Sequence, residues 1–425
     1  MAGHKFEAGR DFAFAMNAGD SLADYRNRFH IPKIPGGADS VYLCGHSLGL
    51  QPKTARSYVE KELEEWSRLG VDGHFHAQNP WMPYHEMLAA PTARLVGALP
   101  EEVVVMNSLT VNLHLMLVSF YRPTAARNRI LIESNAFPSD QYAVQSQIRY
   151  HGYDPATALI EIAPRSGDKT VRTEDIEKLL ASEGEQIALT MLGGVNYYSG
   201  QAFECERIAA AAHARGCVVG FDVAHAAGNI PLQLHDWNAD FAVWCSYKYL
   251  NGGPGCVAGC FVHERHARNP DLPRFAGWWG NDKDARFRME PKFQPIAGAE
   301  GWQLSNPSIL SMAALRASMD IFDEAGMERL RAKSEMLTGY LEFLLEQKTH
   351  ENFSIITPRH PAHRGAQLSL QITKNGRTLC DRLAQQGIIC DWREPDILRV
   401  APAPLYNSFL DVHTFAEKFL AEIRA

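Results

Sequence analysis

Between Glu102 and Val262 the chain repeats one unit, a short apolar run, a polar turn and then a helix-like stretch. The runs cover residues 102–106, 129–133, 158–163, 187–192, 217–221, 239–245 and 257–262. Apolar side chains fill nearly every position of the later runs instead of alternating, which is the pattern of strands buried on both faces. The intervening stretches, such as 173–182 and the alanine-rich 203–215, have helical length and composition. This alternation predicts an α/β fold with a mostly parallel sheet and helices on both sides. Run 257–262 is expected to be the antiparallel member. The first run is not followed by GxGxxG, which argues against a dinucleotide-binding fold.

Two of the runs end in chemistry. Residues 217–221 lead into Asp222-Val223-Ala224-His225, and residues 239–245 lead into Ser246-Tyr247-Lys248, followed by Asn251-Gly252-Gly253-Pro254-Gly255. Polar groups at the carboxyl ends of neighbouring core strands lie where open α/β sheets bind ligands. An isolated Asp and Lys are most often a helix cap and a surface charge. Here each closes an apolar run, and the glycines let backbone pass close to a bound group. A Lys amine that condenses with an aldehyde and an Asp that pairs with a protonated ring nitrogen are the two groups pyridoxal phosphate (PLP) requires. The Asn107-Ser108-Leu109-Thr110 turn fits either an ordinary N-cap or a phosphate at a helix start. Phe137, in the turn after run 129–133, has the ring to stack on a cofactor.

The flanks are less regular. A helix is expected near 21–29 and a strand at 41–43, running into a loop with two glycines at 44–52. The helix at 52–69 places Val59, Leu63 and Trp66 on one side. Residues 70–76 form an aromatic and His-rich loop in which His74 and His76 lack a third metal ligand, so no metal is expected. A helix follows at 84–98. Two long helices, 308–325 and onward to 347, cross to a compact α+β unit with strands at 354–357, 367–372, 388–392 and 397–400. Arg399 near the end of the last strand can grip a carboxylate through two parallel hydrogen bonds, although a solvated charge is the commoner role. The expected organisation is an N-terminal segment (1–50) joining the small domain, a large cofactor-binding domain (51–310) and a small C-terminal α+β domain (311–425).

Hydrophobic residues make up 46% of 425, enough for a large core. A net charge of -7 without a basic block argues against nucleic acid. The eight cysteines are scattered without CxxC pairs, which points to a reducing compartment rather than zinc or disulfides. Neither a leader-like N-terminus nor a membrane-length apolar run is present, so a cytoplasmic protein away from membranes is expected.

Taken together, several motifs carry a resemblance. They are Gly45-x-Ser47-Leu48-Gly49-Leu50-Gln51-Pro52, Phe137-Pro138-Ser139-Asp140, Gly194-Val195-Asn196-Tyr197-Tyr198-Ser199-Gly200-Gln201, Asp222-x-Ala224-His225-Ala226, Tyr247-Lys248-Tyr249, Gly277-Trp278-Trp279-Gly280, Ser305-Asn306-Pro307 and Leu398-Arg399-Val400-Ala401-Pro402. In this order they resemble the kynureninases, PLP hydrolases that split L-kynurenine into anthranilate and L-alanine. The resemblance implies PLP fold type I, with a seven-stranded sheet. It implies that Lys248 forms the Schiff base, that Asp222 meets the ring nitrogen beside Asp140 and His225, and that Phe137 stacks on the ring. Leu109 and Thr110, with Pro138 and Ser139, would form the cofactor cradle, and Tyr247 would reach the phosphate and act as a proton donor. Arg399 would bind the substrate carboxylate. Trp278 and Asn306 would come from the neighbouring subunit of a homodimer. His74, Ser305 and Asn306 imply a preference for 3-hydroxy-L-kynurenine, because such groups left unpaired penalise the analogue lacking the hydroxyl. His46 departs from the family, which usually carries Asn there. The rival readings are a cysteine desulfurase-like lyase of the same fold and a PLP-binding protein without catalysis.

Overall fold

The structure is a computed structural model that describes residues 5–134, 136–347 and 351–423. Asn135, in the turn before Phe137, lies outside them. Thirteen strands occur among the described residues: β1 (Val41–Tyr42), β2 (Val103–Met106), β3 (Arg129–Glu133), β4 (Leu159–Ile162), β5 (Ile187–Gly193), β6 (Val218–Asp222), β7 (Phe241–Cys245), β8 (Ala258–Val262), β9 (Phe353–Ile355), β10 (Leu368–Ile372), β11 (Ile388–Ile389), β12 (Asp391–Arg393) and β13 (Ile397–Val400). Seven of them form the central sheet in the order β2-β8-β7-β6-β5-β3-β4. All its pairings are parallel except the two made by β8, which runs antiparallel to β2 and β7.

Helices cover both faces. Leu109–Phe120 and Pro138–Tyr150 bury Leu113, Met116, Phe120, Val144 and Ile148 in one core cluster. Thr173–Glu183 and Cys205–His213 bury Ile176, Leu180, Ile208 and Ala212 in the other. The centre of the sheet is filled by pairing large rings with missing side chains. Trp244 lies across Gly259 on β8, where a Cβ would sit 2.0 Å from the indole, and Phe241 lies across Gly220 on β6, at 2.1 Å. Any side chain at Gly220 or Gly259 overpacks this layer.

A four-stranded antiparallel sheet, β12-β13-β10-β9, is backed by the helices Met327–Glu346, Gly376–Gln385 and Phe409–Glu422. The N-terminal residues serve both cores. Ala13 and Leu43 join the core beneath this sheet, while Leu22, Tyr25, Phe29 and Leu50 join that of the large sheet. β1 pairs with β11 in parallel, tying the two ends of the chain together.

Three expectations need correction. The helix Ala55–Leu69 does not bury its apolar stripe: Leu63 is 41% and Trp66 61% exposed. It turns Glu62 inward, where the carboxylate accepts from Asn79, the Trp81 indole and the Tyr84 hydroxyl. Residues 70–76 are helical turns, not a loop. Predicted strand 388–392 is two strands in different sheets, with Cys390 as the joint between them. A helix at 84–98 does form, but its first turn, Tyr84–Leu88, is 3-10. Among the described residues no helix is long and apolar enough to cross a membrane.

Candidate active site

Strand ends and helix starts meet at the carboxyl edge of the parallel strands. Asp222 is the last residue of β6, and Lys248 lies three residues past β7. With Leu109, Thr110, Glu133, Phe137, Ser139, Asp140, Tyr197, His225 and Tyr247 they line a cleft of about 80 Å³. A larger hollow between Leu48, Leu50, Val59 and Pro254 is mainly apolar and lacks a convergent polar set.

One end of the cleft is acidic. Asp222 accepts from the Ala224 amide at 2.7 Å, and burial raises its carboxyl while the Lys248 charge lowers it. Asp140 is pushed well above the usual range by burial and then by the Asp222 charge, so it keeps its proton and donates it to Asp222. Glu133 ends β3, takes the Gly193 amide at 3.2 Å, and is pushed up to about 7 by burial. Three buried carboxyls with one lysine leave this end short of positive charge.

The opposite end favours an anion. The helices Leu109–Phe120 and Pro138–Tyr150 both start here, and the hydroxyls of Thr110 and Ser139 meet at 2.7 Å between them. The Lys248 Nζ lies 5.8 Å from the Phe137 ring centroid and 5.9 Å from that of Tyr247. Phe137 is 44% exposed, with its edge against Tyr197. A cationic ring nitrogen at one end and a phosphate at the other match the charges these residues present, so the donor set fits PLP.

The loop 44–52 closes one side. The Gly49 amide donates to the Tyr247 carbonyl at 2.8 Å, and a Cβ at Gly49 would come within 2.3 Å of the Lys248 carbonyl oxygen. The same loop carries His46, fully buried, with neither ring nitrogen bonded. Its imidazole lies 6.5 Å from that of His225. Burial, then the Arg399 charge, holds His46 well below the ordinary histidine value, and burial with Lys248 does the same to His225. Both rings are therefore neutral near pH 7. Arg399 is 1% exposed and does not line the cleft. It donates to the Tyr197 carbonyl at 2.8 Å and to Asp391 at 2.7 Å, leaving Nε without a partner.

Nine of the residues singled out in the sequence therefore share one cleft: Leu109, Thr110, Phe137, Ser139, Asp140, Asp222, His225, Tyr247 and Lys248. Pro138 opens the helix between Phe137 and Ser139. His74, Trp278, Ser305 and Asn306 do not line it. His74 packs edge-on to Trp81 at 5.4 Å, Trp278 is 41% exposed beside Phe287, and Ser305 and Asn306 are exposed. Sequence reasoning misses Glu133, Tyr197 and Asp391 as members of the site. Glu133 carries the same signal as Asp222, an acid closing an apolar run, whereas Asp391 carries none.

Glu133 provides a pH test. An acid whose folded value lies above its unfolded one costs stability as pH rises between them. In Glu133→Gln that cost disappears. The cofactor-free variant should gain about 3 kcal/mol above pH 7 and nothing below pH 4.5, read from urea midpoints on both sides of the window. Equal midpoint shifts at both pH values would show that the carboxyl is not held neutral.

Solved structures share the fold. The chain is similar to a variant of C-DES with glycine covalently linked to its PLP cofactor (TM-score 0.76, 18% identity, covering 93% of this chain and 98% of that one). It is also similar to the cysteine desulfurase CsdA of Escherichia coli (TM-score 0.77, 16% identity, covering 95% and 98%). The fold is that of the fold type I PLP proteins, and the cleft fits the cofactor. Within that class the sequence is decisive. The chain is 63% identical to the kynureninase of Koribacter versatilis (strain Ellin345) over 100% of both chains, and 60% identical to that of Myxococcus xanthus (strain DK1622) over 97% of each. The family model described as "Kynureninase C-terminal domain" matches residues 330–419. This chain belongs to the kynureninase family.

Proposed function

We propose that the enzyme hydrolyses the Cβ–Cγ bond of 3-hydroxy-L-kynurenine in preference to L-kynurenine, releasing 3-hydroxyanthranilate and L-alanine. The observation that carries the reaction is the convergence of Lys248 with the Asp222–Asp140 pair at one end of a cleft whose other end favours a phosphate. PLP, when bound, supplies an electron sink for the substrate α-carbon. Lys248 would hold it through its amine and, once displaced by the substrate amine, move the α-proton. Asp222, supported by Asp140, would keep the ring nitrogen protonated. Phe137 would cover the ring, and Leu109, Thr110, Ser139 and Tyr247 would hold the phosphate end. Burial raises the Tyr247 hydroxyl, so it keeps a proton to donate. Arg399 would orient the substrate carboxylate, reaching past Tyr197. No cysteine lines the cleft among the described residues, which counts against a desulfurase.

His74, Ser305 and Asn306 would read the added hydroxyl, with Asn306 and Trp278 supplied by a second copy of the chain. Exposed apolar side chains on one subunit support a homodimer: Trp66 is 61%, Phe75 57% and Phe287 52% exposed. Light scattering of the purified protein should give twice the chain mass of 47.4 kDa, and a monomer that turns over at full rate would exclude shared sites. The substrate preference is tested by kcat/KM for both kynurenines, with products separated by chromatography. Equal or better use of plain kynurenine sinks the preference. The class of reaction stands as long as L-alanine is released from either.

A further inference from the structure

Cys380 lies on the helix Gly376–Gln385, and Cys390 is the joint between β11 and β12. Their Sγ atoms are 3.8 Å apart. Closing to a disulfide needs a movement of only ~1.8 Å, and Cys390 sits directly between the paired residues Ile389 and Asp391, so a movement there bears on both strands. These are also the two cysteines that are only partly buried, the other six being buried. The two thiols share a hydrogen bond that lowers one of the pair, Cys380, and with burial raises the other, Cys390, whereas burial pushes Cys44, Cys205, Cys217, Cys245, Cys256 and Cys260 up. A partly exposed thiol beside a second thiol within reach is the arrangement that oxidises reversibly.

The neighbour of Cys390 in the chain gives the pair a consequence. Asp391 stands opposite Arg399 in the β12–β13 register. Its Oδ2 accepts from Arg399 at 2.7 Å and from Arg393 at 3.0 Å, and lies 3.9 Å from the His46 Nε2. Asp391 Oδ1 and the Nε atoms of Arg393 and Arg399 have no partner. Asp391 thus connects the Cys390 joint to the Arg399 guanidinium through one hydrogen bond.

We propose that Cys380 and Cys390 form a reversible disulfide under hydrogen peroxide, and that its closure displaces Asp391 and weakens binding of the substrate carboxylate; the second half rests on the role given to Arg399 above. The Cys380 thiolate attacks one peroxide oxygen, the O–O bond breaks, and a sulfenic acid forms as hydroxide leaves and takes up a proton to become water. Cys390 Sγ then attacks Cys380 Sγ, the S–O bond breaks, and a second water leaves with the Cys390 proton. Each sulfur gives up one electron, and the peroxide takes both.

The test treats the holoenzyme with hydrogen peroxide, blocks free thiols with iodoacetamide and maps peptides by mass spectrometry beside steady-state kinetics. The expected result is a cross-linked peptide joining Cys380 to Cys390, a severalfold rise in KM with kcat little changed, and full reversal by dithiothreitol. Cys380→Ser and Cys390→Ser should match the untreated enzyme and lose the peroxide effect on KM. Both residues recovered alkylated, or a cross-link to Cys44 in their place, overturns the disulfide. A KM rise that persists in Cys380→Ser, or a cross-link with unchanged KM, overturns the coupling. Arg399→Lys separates the two readings. If it leaves KM unchanged while the cross-link still forms, the role of Arg399 fails and takes the coupling with it, and the disulfide stands.

Discussion

Lys248→Ala should abolish the visible absorbance of the covalently held cofactor and slow kynurenine cleavage by about 10⁴-fold, the upper range for loss of a positioned acid–base group. Lys248 is the one amine among the described residues lining the cleft. Nothing else there can both condense with an aldehyde and carry a proton. The variant should still fold. Lys248 is only half-buried and lies beyond β7, so the truncation removes few packing contacts from the sheet core. Absorbance spectra, circular dichroism and product analysis on one preparation distinguish the cases. A folded variant that still releases L-alanine at a comparable rate would remove Lys248 from the chemistry.

Asp222→Asn should act in opposite directions on activity and on the stability of the cofactor-free protein. Turnover should fall by about 10³-fold, because the new amide cannot hold a proton on the ring nitrogen by charge. Stability should rise at neutral pH. Burial raises Asp222, and Asp222 in turn helps to hold Asp140 well above its ordinary value. Carboxyls raised in the folded state cost stability as pH climbs above their unfolded values, so removing one charge relieves both. The amide keeps the acceptor for the Ala224 amide and gains a donor toward Asp140. Melting curves of the cofactor-free proteins should show the variant ahead at pH 7 and level with the parent in acid. A variant that melts lower at pH 7 would mean that the Asp222 charge stabilises the empty site, contrary to its burial.

These opposed effects reflect how a cofactor site is built. Glu133, Asp140 and Asp222 are buried close enough together that the Asp222 charge raises the other two. The cleft lies at the carboxyl ends of β3, β5 and β6 and at the starts of two helices, so the backbone supplies much of its polarity. Residues with no direct role in the chemistry then set its shape: Gly49 lets the 44–52 loop lie against Lys248, and Gly220 and Gly259 admit the rings of Phe241 and Trp244 beneath it.

Legibility in the sequence followed the range of the interaction. Strands such as Phe241–Cys245 are visible because a strand buried on both faces is apolar throughout. The antiparallel β8 falls where the sequence places it. The helix Ala55–Leu69 is visible, but its buried face is not. Period alone assigns Leu63 and Trp66 to the core, yet both are exposed, and Glu62 turns inward because Asn79, Trp81 and Tyr84 supply three donors from elsewhere in the chain. The split of 388–392 is invisible for a related reason. Ile388–Ile389 pairs with Val41–Tyr42 and Asp391–Arg393 with β13, and no local pattern records two distant partners.

The sequence by itself determined the chemistry the chain can perform. An Asp and a Lys closing two apolar runs, with Ser, Thr and Phe in the neighbouring turns, pointed to a cofactor, and the ordered motifs together resembled a family that uses one, because strand and helix ends are local events written in consecutive residues. Only the tertiary structure decided how those groups are charged and supported. Asp140 meets Asp222, Glu133 is buried to a value of about 7, and Asp391 holds Arg399 while leaving Cys390 within reach of Cys380. Burial and like-charge proximity depend on which segments pack together, and a protonation state set by desolvation has no signature in the order of the residues.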